Sequence, residues 1–364
     1  MANEHASPPT LPPRGAPGAR LRAIAHALES RPFKPHRLFR NGHAQTIFAA
    51  LTRSQRLVRL RDYLRADEPR LFDVEPGVRL LAHCQWQSER RAAPVVLLVH
   101  GLEGSTDSAY MVGTAHKAFR AGFNVVRLNM RNCGGTEHLT HTLYHSGMSG
   151  DIRAVVRELV ESDKFTSLYV TGFSMGGNIV LKFAGEYGDE APVELSGVCA
   201  VSPSLDLAAC ADAIERRSNR LYQRSFMKSL RRRILGKQKL YPEIYDTSEL
   251  HLVRTIREFD DLYTARHGGF KNAVEYYEQS SALQFVPGIR VPTLIIHAQD
   301  DPFIPFESFR HPSIAGNPDV ILLAPRRGGH VAFVADAGGV GSHGEDRYWA
   351  ENRIVEFFSL LRRG

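Results

Sequence analysis

The tightest constraint on this chain is Gly172-Phe173-Ser174-Met175-Gly176-Gly177, directly after the apolar run Leu168-Tyr169-Val170. A serine with glycine two residues away on each side, between a strand-like run and a helical one, reads as a sharp strand–turn–helix junction. Such a turn holds the serine in strained backbone and aims its hydroxyl out from the end of a sheet. Side chains at the flanking positions would strike neighbouring backbone, which accounts for the glycines. A glycine-rich turn with an N-capping serine uses the same short pattern, so the surrounding sequence has to decide.

That surrounding sequence alternates. Val95-Val96-Leu97-Leu98-Val99 is a continuous apolar run, as expected of a strand covered on both faces. A helix is expected over 108–121, ended by Gly122, then a strand from Phe123 to Asn129. Ile152, Val155, Val156, Leu159 and Val160 carry helical periodicity between Gly150 and Lys164, and Leu195 to Val201 reads as the strand after the junction helix. Val291 to His297 and Val320 to Leu323 read as later strands, and a last helix is expected over 346–362. Upstream, a short helical pattern within 21–53 precedes strands expected near 56–61, 71–75 and 78–86. The predicted class is α/β, a mostly parallel central sheet flanked by helices and built from right-handed βαβ units.

The alternation breaks between 204 and 285, a stretch rich in Arg, Lys, Tyr and Phe. It is expected to form a helical lid inserted between two sheet strands; the plainer alternative is an elaborated crossover with no gating role. The Pro-rich residues 1–20 are expected to be disordered, because such sequence buries too little surface to offset its ordering entropy. Residues 21–55 are then an amino-terminal extension packing on a core formed by 56–203 and 286–364.

Composition narrows the function classes. The formal net charge of +7 is compatible with anionic membranes or acidic substrates, but no nucleic-acid recognition pattern accompanies it. Cys84, Cys133, Cys199 and Cys210 lack any C-x-x-C spacing, which points to free thiols in a reducing compartment. No signal-peptide core or membrane-spanning run is found, so a cytoplasmic location is expected.

Chemistry at a serine hydroxyl needs a base, a group that orients the base, and donors for the developing oxyanion. Acid candidates are Asp300 and Asp301, just past the apolar run that ends at Ile296. Asp301 is preferred because it directly precedes Pro302-Phe303-Ile304-Pro305, and Asp300 could cap that turn instead. The base candidate is His330, in the glycine-rich Arg327-Gly328-Gly329-His330 after the last predicted strand. Oxyanion donors are expected from the backbone N–H of Met175, which opens a helix, and of Leu102 in His100-Gly101-Leu102-Glu103-Gly104.

Three other features have bland readings that prevail. His138, His141 and His145 could be drawn as a metal cluster, but no cysteine or acidic ligands accompany them, and no metal is expected. Gly134-Gly135 lacks the spacing of a phosphate-binding loop, so no cofactor is expected either. The basic run from Arg216 to Lys239, with Arg231-Arg232-Arg233, reads as a solvated helix packed on one face. Its sharper alternative is an interfacial helix that meets anionic lipid transiently.

On these residues the chain resembles the YheT-like branch of the α/β-hydrolase superfamily, over about residues 32–360. The resemblance is carried by Arg40-Asn41-Gly42-His43-Ala44-Gln45-Thr46, His100-Gly101-Leu102-Glu103-Gly104-Ser105, Tyr144-His145-Ser146-Gly147, the Ser174 turn, Asp300-Asp301-Pro302 and Gly329-His330. It implies a Ser174–Asp301–His330 triad and esterase activity on short acyl esters or acylglycerols. The partner expected is therefore a small-molecule ester or lipid. In one departure, Asn132 stands where relatives usually carry glycine. The same triad would serve thioesterase or acyltransferase chemistry, and the fold could also act as a catalytically idle ligand-binding module.

Overall fold

In the computed structural model, residues 17–336 and 345–363 are described. Four helices come first: α1 (Pro17–Glu29), α2 (Gly42–Leu51), α3 (Arg53–Arg59) and α4 (Arg61–Leu64). Then follow β1 (Glu68–Glu75), β2 (Val78–Gln85), β3 (Val95–Val99), α5 (Ala109–Arg120), β4 (Asn124–Leu128), α6 (Ser149–Glu161), β5 (Leu168–Phe173), α7 (Met175–Tyr187) and β6 (Leu195–Val201). The segment from β6 to β7 (Thr293–Ile296) is helical, with α8 (Leu207–Glu215), α9 (Arg220–Leu240), α10 (Ile256–Phe259), a π-helical turn (Asp260–Ala265), α11 (Arg266–Gly268) and α12 (Ala273–Ser280). After β7 come α13 (Pro312–Ala315), β8 (Val320–Leu323) and α14 (Trp349–Arg362).

The eight strands form one sheet in the order β1-β2-β4-β3-β5-β6-β7-β8. The β1–β2 and β2–β4 pairings are antiparallel, and all others are parallel. Alternate side chains of β3 feed opposite cores. Val95, Leu97 and Val99 join α6 and α7 on one face, while Val96 and Leu98 join α1, α5 and α14 on the other. Burial on both faces explains why these strands read as unbroken apolar runs. Among the described residues, no helix is long and apolar enough to cross a membrane.

Two expectations fail near the amino terminus. The strand expected near 56–61 is helical, within α3 and α4. Its Leu and Arg residues are good helix formers, no sheet edge receives them, and Val58 stays 71% exposed. The tail expected to be disordered through residue 20 instead folds from Pro17 onward as part of α1, where the Arg20 guanidinium donates to the carbonyls of Leu360 and Leu361 on α14. The remainder of that tail, residues 1–16, lies outside the described residues.

Candidate active site

Every candidate group sits just past the carboxyl end of a parallel strand. Ser174 follows β5, Leu102 follows β3, Asp300 and Asp301 follow β7, and His330 follows β8. Parallel strands point these loops to one rim of the sheet, where ligands of open α/β folds collect.

The serine turn has the strained geometry expected of it, with Ser174 at φ 54° and ψ −117°. A Cβ at Gly176 would fall inside contact distance of the Val99 and His100 carbonyls, so only glycine lets α7 start this close to β3. The hydroxyl Oγ of Ser174 lies 2.9 Å from His330 Nε2, and His330 Nδ1 lies 2.8 Å from Asp301 Oδ2. That arrangement suits the tautomer in which Nδ1–H donates to the carboxylate and Nε2 accepts from the serine. Burial would raise the Asp301 pKa, but the His330 and His297 rings and the Phe303 N–H outweigh it and hold the carboxyl below its ordinary range.

Asp300 points elsewhere. Its Oδ1 accepts from the Gly329 N–H at 3.0 Å, so it supports the histidine loop rather than the ring. Met175 and Leu102 line the same cleft, and among the described residues neither backbone N–H donates to a protein acceptor. His100 braces the Leu102 loop through Nδ1–H to the Gly101 carbonyl (2.8 Å) and through Nε2, which accepts from the Met130 N–H (3.1 Å). Burial lowers the His100 pKa to about 4, which keeps this ring neutral in the bonded tautomer.

Sequence reasoning missed the support of the histidine loop. Val331 and Phe333 both have positive φ, 56° and 41°, which is costly for a β-branched and a bulky residue. The α2 segment over-determines that loop. Thr46 Oγ1 accepts from the His330 N–H at 2.9 Å, and Gln45 bonds both the N–H and the carbonyl of Val334. Gly42 lies so close to the Asp300 carbonyl that a Cβ would overlap it. The signal was present as Asn41-Gly42-His43-Ala44-Gln45-Thr46, but nothing local indicates what the motif grips.

The cleft in front of Ser174 is mostly apolar, with Leu102, Ile214, Phe226, Leu230, Ile256 and Phe259 among its lining side chains. A polar patch interrupts it. Asp260 lines the cleft and accepts from the hydroxyls of Thr264 (2.7 Å) and Tyr277 (2.8 Å), and burial raises its pKa to about 6. The basic run on α9 is split by helix geometry. Arg224, Lys228 and Arg232 are exposed, whereas Lys237 is buried and donates to the Glu137 and Thr140 carbonyls, and Arg233 turns toward Glu103.

Of the three histidines drawn as a cluster, His138 has its carbonyl accepting from Tyr241 Oη at 3.4 Å. His145 packs edge-on to Phe270 and Tyr276, and the His141 carbonyl accepts from Tyr245 Oη at 2.6 Å. Asn132 has φ 63°, in the left-handed region that glycine adopts freely and asparagine tolerates, and its Nδ2 donates to the Thr142 carbonyl at 2.7 Å.

A family model described as alpha/beta hydrolase fold matches residues 94–337. The Escherichia coli (strain K12) protein named "Putative esterase YheT" is 33% identical over 91% of this chain and 94% of its own length. A Saccharomyces cerevisiae protein named monoacylglycerol lipase is 33% identical over 74% of this chain and 60% of its own length. Among solved structures, the Pyrococcus furiosus esterase Pf2001 superposes with a TM-score of 0.52 at 18% identity, covering 80% of this chain and 90% of that one, a likeness of fold.

Proposed function

The chain belongs to the α/β-hydrolase fold family and is a carboxylic ester hydrolase, and we propose that it works through an acyl-enzyme on Ser174. The observation that carries this reading is the unbroken line from Ser174 Oγ through the His330 ring to Asp301, with bonds of 2.9 and 2.8 Å. In the proposed mechanism His330 Nε2 takes the serine proton as Oγ attacks the ester carbonyl. Asp301 holds the tautomer and stabilises the imidazolium, and the Met175 and Leu102 N–H groups take up the oxyanion. The alcohol leaves with the proton from His330. Water, deprotonated by the same nitrogen, then releases the acid and frees Ser174.

Short-chain esters or acylglycerols suit the apolar cleft, and the monoacylglycerol lipase name of the yeast relative agrees with that class. The exposed row of Arg224, Lys228 and Arg232 on α9, with Leu221 and Leu235 also exposed, supports transient contact with an anionic membrane surface.

The test is labelling with a fluorophosphonate, followed by turnover on p-nitrophenyl esters graded by acyl length. Wild-type protein is expected to label, and Ser174→Ala to lose both labelling and at least ~10³-fold of turnover while keeping its melting temperature. Folded wild-type protein that neither labels nor turns over any ester would point to a binding module. Preference for thioesters over matched oxyesters would move the reading to thioesterase chemistry.

A further inference from the structure

Leu102, the proposed oxyanion donor, is bracketed by two tyrosine hydroxyls. Tyr110 Oη accepts from the Gly101 N–H and Tyr144 Oη accepts from the Glu103 N–H, both at 3.0 Å. The Leu102 N–H, lying between them, donates to no protein acceptor among the described residues, and Leu102 lines the cleft. Glu103 holds φ at 56°, an unfavourable value for a residue with a side chain, so something must keep it there. Its carboxylate does so: Oε1 accepts from Tyr144 Oη at 2.8 Å and from Arg233 Nε at 2.6 Å.

Arg233 comes from α9, in the helical insertion, and is buried with its partner; the two side chains are 10% and 11% exposed. It also donates to the Asn132 carbonyl and lies 4.9 Å from the centre of the Tyr144 ring. The insertion therefore grips both loops that follow β3 and β4. The charge matters as much as the grip. A carboxylate one residue from an oxyanion donor opposes the negative charge that develops there, unless a cation compensates it in the same low-dielectric region.

We infer that Glu103 and Arg233 are positioning residues, a buried charge pair through which the insertion orients the Leu102 N–H and screens the oxyanion site from Glu103. The inference rests on the Ser174 reading above. On this account the insertion completes the oxyanion site, and a movement of α9 that withdraws Arg233 costs turnover. It also supplies a reason for glutamate in His100-Gly101-Leu102-Glu103-Gly104 and for tyrosine in Tyr144-His145-Ser146-Gly147.

The pair makes an asymmetric prediction. Arg233→Met leaves an uncompensated buried carboxylate beside the oxyanion, whereas Glu103→Gln keeps the shape and removes the charge. Full-length variants are compared by kcat and KM on a soluble p-nitrophenyl ester and by affinity for an aryl trifluoromethyl ketone, whose Ser174 adduct carries an oxyanion. Arg233→Met is expected to lose ~10–100-fold in kcat with KM within about threefold, and to lose ketone affinity in proportion. Arg233→Lys should recover part of both, and Glu103→Gln/Arg233→Met should outperform Arg233→Met alone.

A folded Arg233→Met with kcat and ketone affinity within twofold of wild type overturns the inference. So does a loss of turnover with ketone affinity intact, or a double variant no better than the single. If Arg233→Met does not fold, Arg233→Lys decides alone: it keeps the cation but loses the planar guanidinium that reaches both Glu103 and the Asn132 carbonyl, so turnover and ketone affinity are expected to fall in proportion, ~3–10-fold each, and unchanged values sink the idea. Ser174→Ala separates the two claims. Retained turnover there defeats the hydrolase reading, whereas an inactive Ser174→Ala beside unaffected pair variants defeats only the coupling.

Discussion

On the sheet side of the cleft, Ser174, Asp301 and His330 sit on loops that continue parallel strands; the facing wall comes from helices inserted between β6 and β7. The sheet side is fixed largely by backbone. Gly176 lets α7 begin against the Val99 and His100 carbonyls, Gly42 brings α2 against Asp300, and Ser174, Val331 and Phe333 hold positive φ. The insertion side is fixed by side chains that reach carbonyls: Arg233 to Asn132, Lys237 to Glu137 and Thr140, and Tyr245 to His141. Backbone contact tolerates almost no change at the glycines and is indifferent to most other side chains. Buried cations act in the reverse way, because each removal strands carbonyls that have lost their water.

Asp301→Asn should break the sheet side hardest. It keeps the shape but reverses the histidine tautomer, and a kcat loss of ~10³–10⁴-fold is expected with the melting temperature nearly unchanged. Asp300→Asn keeps an oxygen for the Gly329 N–H and should stay within ~10-fold. Steady-state kinetics on a soluble ester separates the two, and equal losses would erase the distinction drawn between these neighbours.

Thr46→Val removes the acceptor of the His330 N–H while keeping the side-chain volume. About a tenfold fall in kcat is expected, with KM unchanged and Thr46→Ser restoring most of it. A fall in melting temperature without any change in kcat would make Thr46 a support of the fold alone.

The smallest effect on turnover is expected on the outer face of α9. Arg224→Gln/Lys228→Gln/Arg232→Gln should leave a soluble ester turned over within about twofold, since these side chains are exposed and the ion pair to Glu103 is made by Arg233. Sedimentation with phosphatidylserine-containing vesicles should weaken by on the order of 100-fold at low salt, three charges at roughly 1 kcal/mol each. Undiminished vesicle binding would remove the membrane role from this face. Neutralising Arg231, Arg232 and Arg233 together would mix the two faces, because Arg233 belongs to the inner one.

The sheet and the placement of candidate residues on it were legible because they rest on short-range rules. Buried parallel strands need unbroken apolar runs, the turn at Ser174 needs its glycines, and loops after parallel strands must share one rim. The misread segment near 56–61 shows the limit of that reasoning, since Arg56-Leu57-Val58-Arg59-Leu60 lacks a period long enough to separate strand from helix. What grips the site was not legible. Thr46 lies 284 positions from His330, and Arg233 lies 130 from Glu103. A hydrogen bond across such a separation leaves no local pattern at either end. Three consecutive arginines look alike in a sequence, and only the 3.6-residue turn of α9 and the wall it packs against send Arg232 to solvent and Arg233 to the oxyanion loop.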